Sequence, residues 1–185
     1  MRLHSRAGGF AKGRGGRRPA GGPEIRPPPA LARAPIPWAK WGPPPSAPGA
    51  DALRAFETAR LPVGADATAP DGTLVRLLPA LDGGSLAHFE LPAGAVSHAV
   101  THRSVEEIWY FVGGRGEIWR AAGGRESVVE VAAGLAVTIP LGTAFQFRAT
   151  DERALTFLAI TMPPWPGAQE AIRVEGPWTP TVDDG

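Results

Sequence analysis

The residues best equipped for chemistry lie in two short stretches of this 185-residue chain. The first runs from Gly94 to Gly116 and reads G-A-V-S-H-A-V-T-H-R-S-V-E-E-I-W-Y-F-V-G-G-R-G; the second runs from Gly134 to Ala149 and reads G-L-A-V-T-I-P-L-G-T-A-F-Q-F-R-A. His98, His102, Glu106 and Glu107 fall close together in the first. Imidazole and carboxylate groups ligate divalent transition metals, and without a metal they can act as an acid–base pair. The bland reading makes His102 a hydrogen-bonded structural histidine, with one glutamate solvated and the other paired to Arg103 or Arg115. His88 is isolated and reads as structural. The chain has no Cys, so it holds no disulfide framework, thiolate metal site or cysteine nucleophile. It shows no phosphate loop, G-x-S-x-G elbow or dinucleotide fingerprint.

The elements that must carry these residues are short strands. From Asp71-Gly72 onward, apolar segments alternate with turn residues. Candidate strands are 73–79, 85–91, 96–102, 107–112, 116–120, 127–131, 136–139, 144–149 and 154–161. Asp82-Gly83-Gly84, Pro92-Ala93-Gly94, Gly113-Gly114, Gly123-Gly124, Gly134 and Leu141-Gly142 punctuate them. Strands this short and evenly spaced predict an all-β sandwich or small barrel. Helical periodicity is weak; a short helix over 51–60, with Asp51 as N-cap, is the one candidate. In a strand, positions two apart share a face. His98, Val100 and His102 are thus expected to point one way. Trp109 and Phe111 share the face of Glu107, and Phe147 that of Phe145.

With those residues in view, the two stretches resemble the cupin superfamily. Its first motif reads Gly, five residues, His-x-His, three or four residues, Glu, six residues, Gly. Its second reads Gly, five residues, Pro-x-Gly, two residues, His, three residues, Asn. The resemblance covers about residues 72–162. Gly94, Gly114, Gly134, Pro140 and Gly142 match the framework. The resemblance implies an all-β, cupin-type double-stranded β-helix, a jelly-roll barrel, and metal-dependent chemistry of the dioxygenase or isomerase kind. Position by position, the family's first His falls on Val100 and its second on His102. The Glu falls on Glu107, or on Glu106 at the shorter spacing. The second-motif His falls on Phe145 and the Asn on Ala149. The implied metal ligands are therefore His102 and Glu107. His98 and Gln146 are the substitutes to consider. His98 stands roughly 13 Å along the strand from His102, so a β-bulge is needed to bring it in. Gln146 should face away from the Phe145 side, and its amide is a poorer ligand than imidazole.

Two ligands leave a depleted site, at which a divalent transition metal binds weakly. The expected function is small-molecule binding in a cavity lined by His102, Glu107, Trp109, Phe111, Phe145 and Phe147. The alternative is a metal-dependent cupin enzyme using His102 and Glu107 with His98 or Gln146.

Composition bounds the rest. Residues 1–50 hold nine Arg and Lys against the single acid Glu24, about +8, whereas residues 51–185 hold ten Arg against seventeen acids, about −7. Gly and Pro crowd the first fifty residues, which read as a disordered basic leader; nucleic acid is not expected as a partner, and only this leader, as an RNA- or acidic-surface-binding arm, would supply such contacts. Residues 51–71 read as an arm, 72–162 as the barrel and 163–185 as an extended tail. Trp165 and Trp178 in that tail need burial against the barrel or a partner subunit, and a homodimer is expected. No apolar run is long enough to span a membrane. The lack of Cys agrees with a cytoplasmic setting.

Overall fold

The computed structural model describes residues 55–183. The leader, with Trp38 and Trp41, lies outside the described residues. Eleven strands follow: β1 (Ala67–Thr68), β2 (Leu74–Leu81), β3 (Gly84–Leu91), β4 (Val100–His102), β5 (Glu106–Gly113), β6 (Arg115–Ala122), β7 (Arg125–Ala132), β8 (Ala136–Ile139), β9 (Ala144–Ala149), β10 (Leu155–Met162) and β11 (Ala171–Arg173). They form two antiparallel sheets, a six-stranded one ordered β1-β2-β3-β10-β5-β8 and a five-stranded one ordered β11-β4-β9-β6-β7. Non-consecutive neighbours in both sheets make this a double-sheet jelly roll, the predicted class.

The turns work as their residues require. Gly114, between β5 and β6, has φ 71°. A Cβ there would also collide with the carbonyl of Ala154, so a larger residue is excluded twice over.

Inside the six-stranded sheet, residues meet in rows set by register. One row is Phe111, Phe157, Phe89 and Val75. The next sets Trp109 beside Ala159, and Ala159 beside Ala87. The two alanines leave room for the indole, which stacks on Phe157 with centroids 4.3 Å apart. From the other sheet, Phe145 and Phe147 meet Trp109 edge-on at 5.3 and 5.2 Å. The barrel interior is thus filled by interlocking rings, each worth about 1 kcal/mol beyond its buried area.

Two sequence expectations change. No helix forms over 55–60, whose residues are exposed. So short a segment with no face to bury cannot offset helix nucleation. The strand expected over 96–102 is also broken. Val96 bridges Arg148 and Val100 pairs with Phe145, so four steps on one side span three on the other. That extra residue is a bulge, and it reverses which face each side chain takes. The tail does not leave the barrel: β11 pairs with β4, and Thr181 N donates to Val96 O at 3.0 Å.

Candidate functional site

At one end of the barrel the aromatic rows give way to polar side chains. Glu107, at the start of β5, pairs with Thr161 of β10, and Thr161 pairs with Ser85 of β3. The hydroxyls of Ser85 and Thr161 lie 2.5 Å apart. His102, at the end of β4, faces this row from the other sheet, and its Nδ1 is 3.9 Å from Glu107 Oε2. That is too long for a hydrogen bond. His102 Nδ1 is buried and has no hydrogen-bond partner among the described residues. Glu107 Oε2 accepts a bond from Trp109 Nε1 at 2.7 Å, tying the polar layer to the ring layer below.

The electrostatics follow from burial. Loss of solvent pushes the Glu107 carboxyl up to about 8, against the Trp109 bond, with like-charge repulsion from Asp71 adding to the rise. Loss of solvent likewise pulls His102 down to about 4, against the pull of Glu170. Near neutral pH both groups are uncharged. The contact is therefore a neutral acid beside a neutral imidazole rather than an ion pair.

The tail closes this end. Trp165 sits edge-on to His102 with centroids 5.2 Å apart, and Phe145 does the same from below at 5.1 Å. Trp165 N donates to Ser85 Oγ at 3.0 Å. A single 3₁₀ turn, Ala168–Glu170, then fastens the strap. The Glu170 carboxylate accepts from Ser104 N at 2.5 Å, Ser104 Oγ at 2.9 Å and Val105 N at 2.9 Å. Burial works to raise its carboxyl, but these donors outweigh it and hold Glu170 below the ordinary range.

His102, Glu107, Trp109, Phe145 and Phe147 come together, and Phe111 lies one row deeper. Three candidates do not join them. Glu106 points outward on β5 and is exposed. Gln146 lies opposite Phe145 in parity and is committed elsewhere: its Nε2 donates to Ser97 O and Trp178 O, and its Oε1 accepts from Trp178 N. His98 was expected to share the face of Val100 and needed a bulge to reach His102. The bulge exists but acts the other way. It turns Val100 inward and leaves His98 beside Gln146, Arg173 and Trp178, along a groove of about 400 Å³ under the tail. Sequence reasoning passed over Ser85, Thr161, Trp165 as a cap, and Glu170. Alternation along β3 and β10 could have flagged the first two once their pairing was known. Nothing local marks Glu170.

Among the described residues, no group of three or more His, Cys, Asp or Glu side chains is arranged to hold a metal ion. No described helix is long and apolar enough to cross a membrane.

A double-sheet jelly roll with a polar layer at one end, capped by the tail, defines the class. Solved structures narrow it. Oxalate decarboxylase from Bacillus subtilis superposes with a TM-score of 0.52 at 15% identity, over 65% of this chain and 33% of that one. The coconut allergen cocosin superposes at 0.51 and 21% identity, over 62% and 32%. An uncharacterized Klebsiella pneumoniae protein with a double-stranded β-helix domain gives 0.48 at 13% identity, over 56% and 85%. The chain thus spans about a third of the length of the first two. It has the cupin fold. No family model and no curated protein matches the sequence.

Proposed function

We propose that this chain is a cupin that binds a small organic molecule at the closed end of its barrel, without a tightly held metal. The observation that carries this reading is the His102–Glu107 pair: two buried, uncharged groups, one with an orphaned ring nitrogen, beneath a tryptophan cap. A ligand supplying a donor or acceptor there would recover the cost of that orphan. The residues present do not fit a resident metal. Val100 and Phe145 pair with each other and fill the inner positions between the sheets with apolar side chains. Glu107 is already engaged by Trp109. Two donors fall short of the three or four a catalytic or structural site uses.

Protein prepared without an affinity tag, equilibrated with Zn²⁺ or Mn²⁺ and dialysed, should retain well under one metal per chain. Val100→His with Phe145→His should raise that retention. One tightly held ion per unmodified chain would overturn the reading in favour of a metal-dependent enzyme. The oxalate decarboxylase neighbours would then make that activity the first to assay. The setting we favour is cytoplasmic, consistent with a chain free of Cys.

A homodimer belongs to the same proposal, on changed grounds. Trp165 and Trp178 are housed by their own barrel, against His102 and Arg148. The outer face of the six-stranded sheet instead departs from the apolar-in, polar-out rule. Ile108, Tyr110 and Val112 of β5 and Ile160 of β10 point outward and are 42%, 48%, 43% and 43% exposed. At about 4.8 Å between strands and 3.3 Å per residue, this face measures roughly 600 Å², near the ~800 Å² each partner buries in a stable dimer. An uncharged centre suits a second copy related by a two-fold axis. Sedimentation of the full chain at micromolar concentration should show a dimer. Tyr110→Glu should give monomers, and Val128→Glu on the other sheet should not. A monomeric wild type would refute the interface.

A further inference from the structure

The His102–Glu107 pair is shut in. Both side chains are buried. Two grooves mark the described surface, one of about 760 Å³ along β6, β7 and the Gly134 turn and one of about 400 Å³ under the tail, and neither is lined by either residue. A ligand reaches the orphaned Nδ1 of His102 only if part of the wall moves, and the parts differ in how firmly they are held. β3, β10 and β5 are paired along nearly their whole length, and β4 lies between β9 and β11. The segment 163–167 is different. Pro163, Pro164 and Pro166 have no N–H to give. Among the described residues, its one backbone hydrogen bond to the barrel runs from Trp165 N to Ser85 Oγ at 3.0 Å. Trp165 itself is only partly buried, although it covers His102.

Both ends of this segment are tied down. Met162 pairs with Glu106. On the far side Gln169 O accepts from Arg103 Nε at 2.9 Å, and the Glu170 carboxylate takes the Ser104 and Val105 donors. A weakly held middle between fixed ends opens locally at far lower cost than the barrel unfolds. Gly167 stands at the junction of the two. Its φ of 129° and ψ of 175° lie in a region that only glycine occupies without strain. A Cβ there would meet nothing within 4 Å, so the closed position depends on the glycine backbone and not on packing.

We infer that residues 163–167 form a hinged strap that lifts Trp165 off His102 to admit the ligand and then closes over it, with Gly167 as the pivot and Glu170 as the fixed latch. The inference rests on the small-molecule reading above and adds how that site is entered. Lifting the strap breaks one hydrogen bond and one ring contact, and it leaves the aromatic rows below undisturbed.

Diethyl pyrocarbonate, which acylates neutral imidazole, tests the strap on the full chain with no ligand present. Peptide mass spectrometry follows His102 and, as the control, His88 on the outer face of β3. In the wild type His102 should label slowly, at a rate that stays flat in urea well below the unfolding midpoint, because lifting so short a segment exposes little surface. Gly167→Ala should speed His102 labelling roughly tenfold by straining the closed strap, and His88 should be unchanged. Trp165→Ala should speed it at least as much and serves if Gly167→Ala does not fold. A wild-type His102 rate that climbs with urea as steeply as global unfolding would refute the strap. So would an unchanged rate in a folded Gly167→Ala, or acceleration of His88 together with His102 in both variants. These outcomes leave the small-molecule reading standing, whereas one tightly held metal per chain would sink that reading and leave the strap.

Discussion

Trp109→Ala should destabilise this protein by about 4 kcal/mol, the scale of large-to-small substitution of a core tryptophan, and lower its melting temperature by about 15 °C. Trp109 is 2% exposed and touches four other rings: it stacks on Phe157 and meets Phe145, Phe147 and Phe111 at angles between 66° and 89°. Ala159 stands beside it in the row with Ala87 beyond, and neither can grow into the space left behind. The indole N–H also satisfies Glu107 Oε2. Removal therefore opens a cavity and orphans a buried carboxyl at once, two independent costs. Trp109→Phe should recover much of the packing and lose about 1–2 kcal/mol for the missing donor. Urea unfolding of the three proteins measures this. A Trp109→Ala variant within about 1 kcal/mol of wild type would show that the ring layers are not the core of the domain.

The second large effect is on the pH dependence of stability. Glu107 moves from 4.5 unfolded to about 8 folded, so the folded state keeps a proton that the unfolded chain gives up. Its effect is that stability falls as pH rises across that interval. His102 moves from 6.5 to about 4, so the unfolded chain takes up a proton that the folded state refuses. Its effect is that stability falls as pH drops from 6.5 toward 4. Between 4.5 and 6.5 the two slopes oppose each other: the unfolded pair carries one positive and one negative charge and the folded pair carries none, with equal protons bound. Above 6.5 only the Glu107 slope remains. At about 1.4 kcal/mol per pH unit, the pair contributes a loss of roughly 2 kcal/mol between pH 6.5 and 8. Glu107→Gln should abolish that loss. Urea midpoints measured at pH 6.5 and 8 decide the matter. An alkaline fall of equal size in wild type and Glu107→Gln would mean that Glu107 is already ionised in the folded protein.

These two residues also show how far the sequence alone reached. Period-two alternation and glycine turns are local properties, written in consecutive residues. They were enough for most of the strands and for an all-β sandwich or small barrel; the jelly-roll class came from the resemblance to cupins, and the choice between Glu107 and Glu106 stayed open until β5 turned Glu107 inward and Glu106 outward. Alternation also placed Trp109 on the face of Glu107. The spacing from Gly134 through Pro140 and Gly142 placed Phe145 on the inner side, and Gln146 outside followed from parity. The face of His98 did not follow. A single inserted residue between Val96 and Val100 reverses parity, and a bulge of this kind is set by what the neighbouring strand pairs with, not by the strand itself.

What only the tertiary structure decided is the company these residues keep. Arg120 looks like one more exposed arginine until β6 pairs with β9 and turns it inward beside Phe145. Ser85 and Thr161 are 76 residues apart and share a hydrogen bond because β3 and β10 are neighbours. Trp165 and Glu170 sit in a proline-rich tail with no periodicity, yet they cap and latch the site from Ser85, Ser104 and Val105. A hydrophobic pattern specifies which face of a strand is buried. Which strands meet, and at what register, depends on how all the buried faces pack together. The chemistry at this barrel end is a product of that second choice.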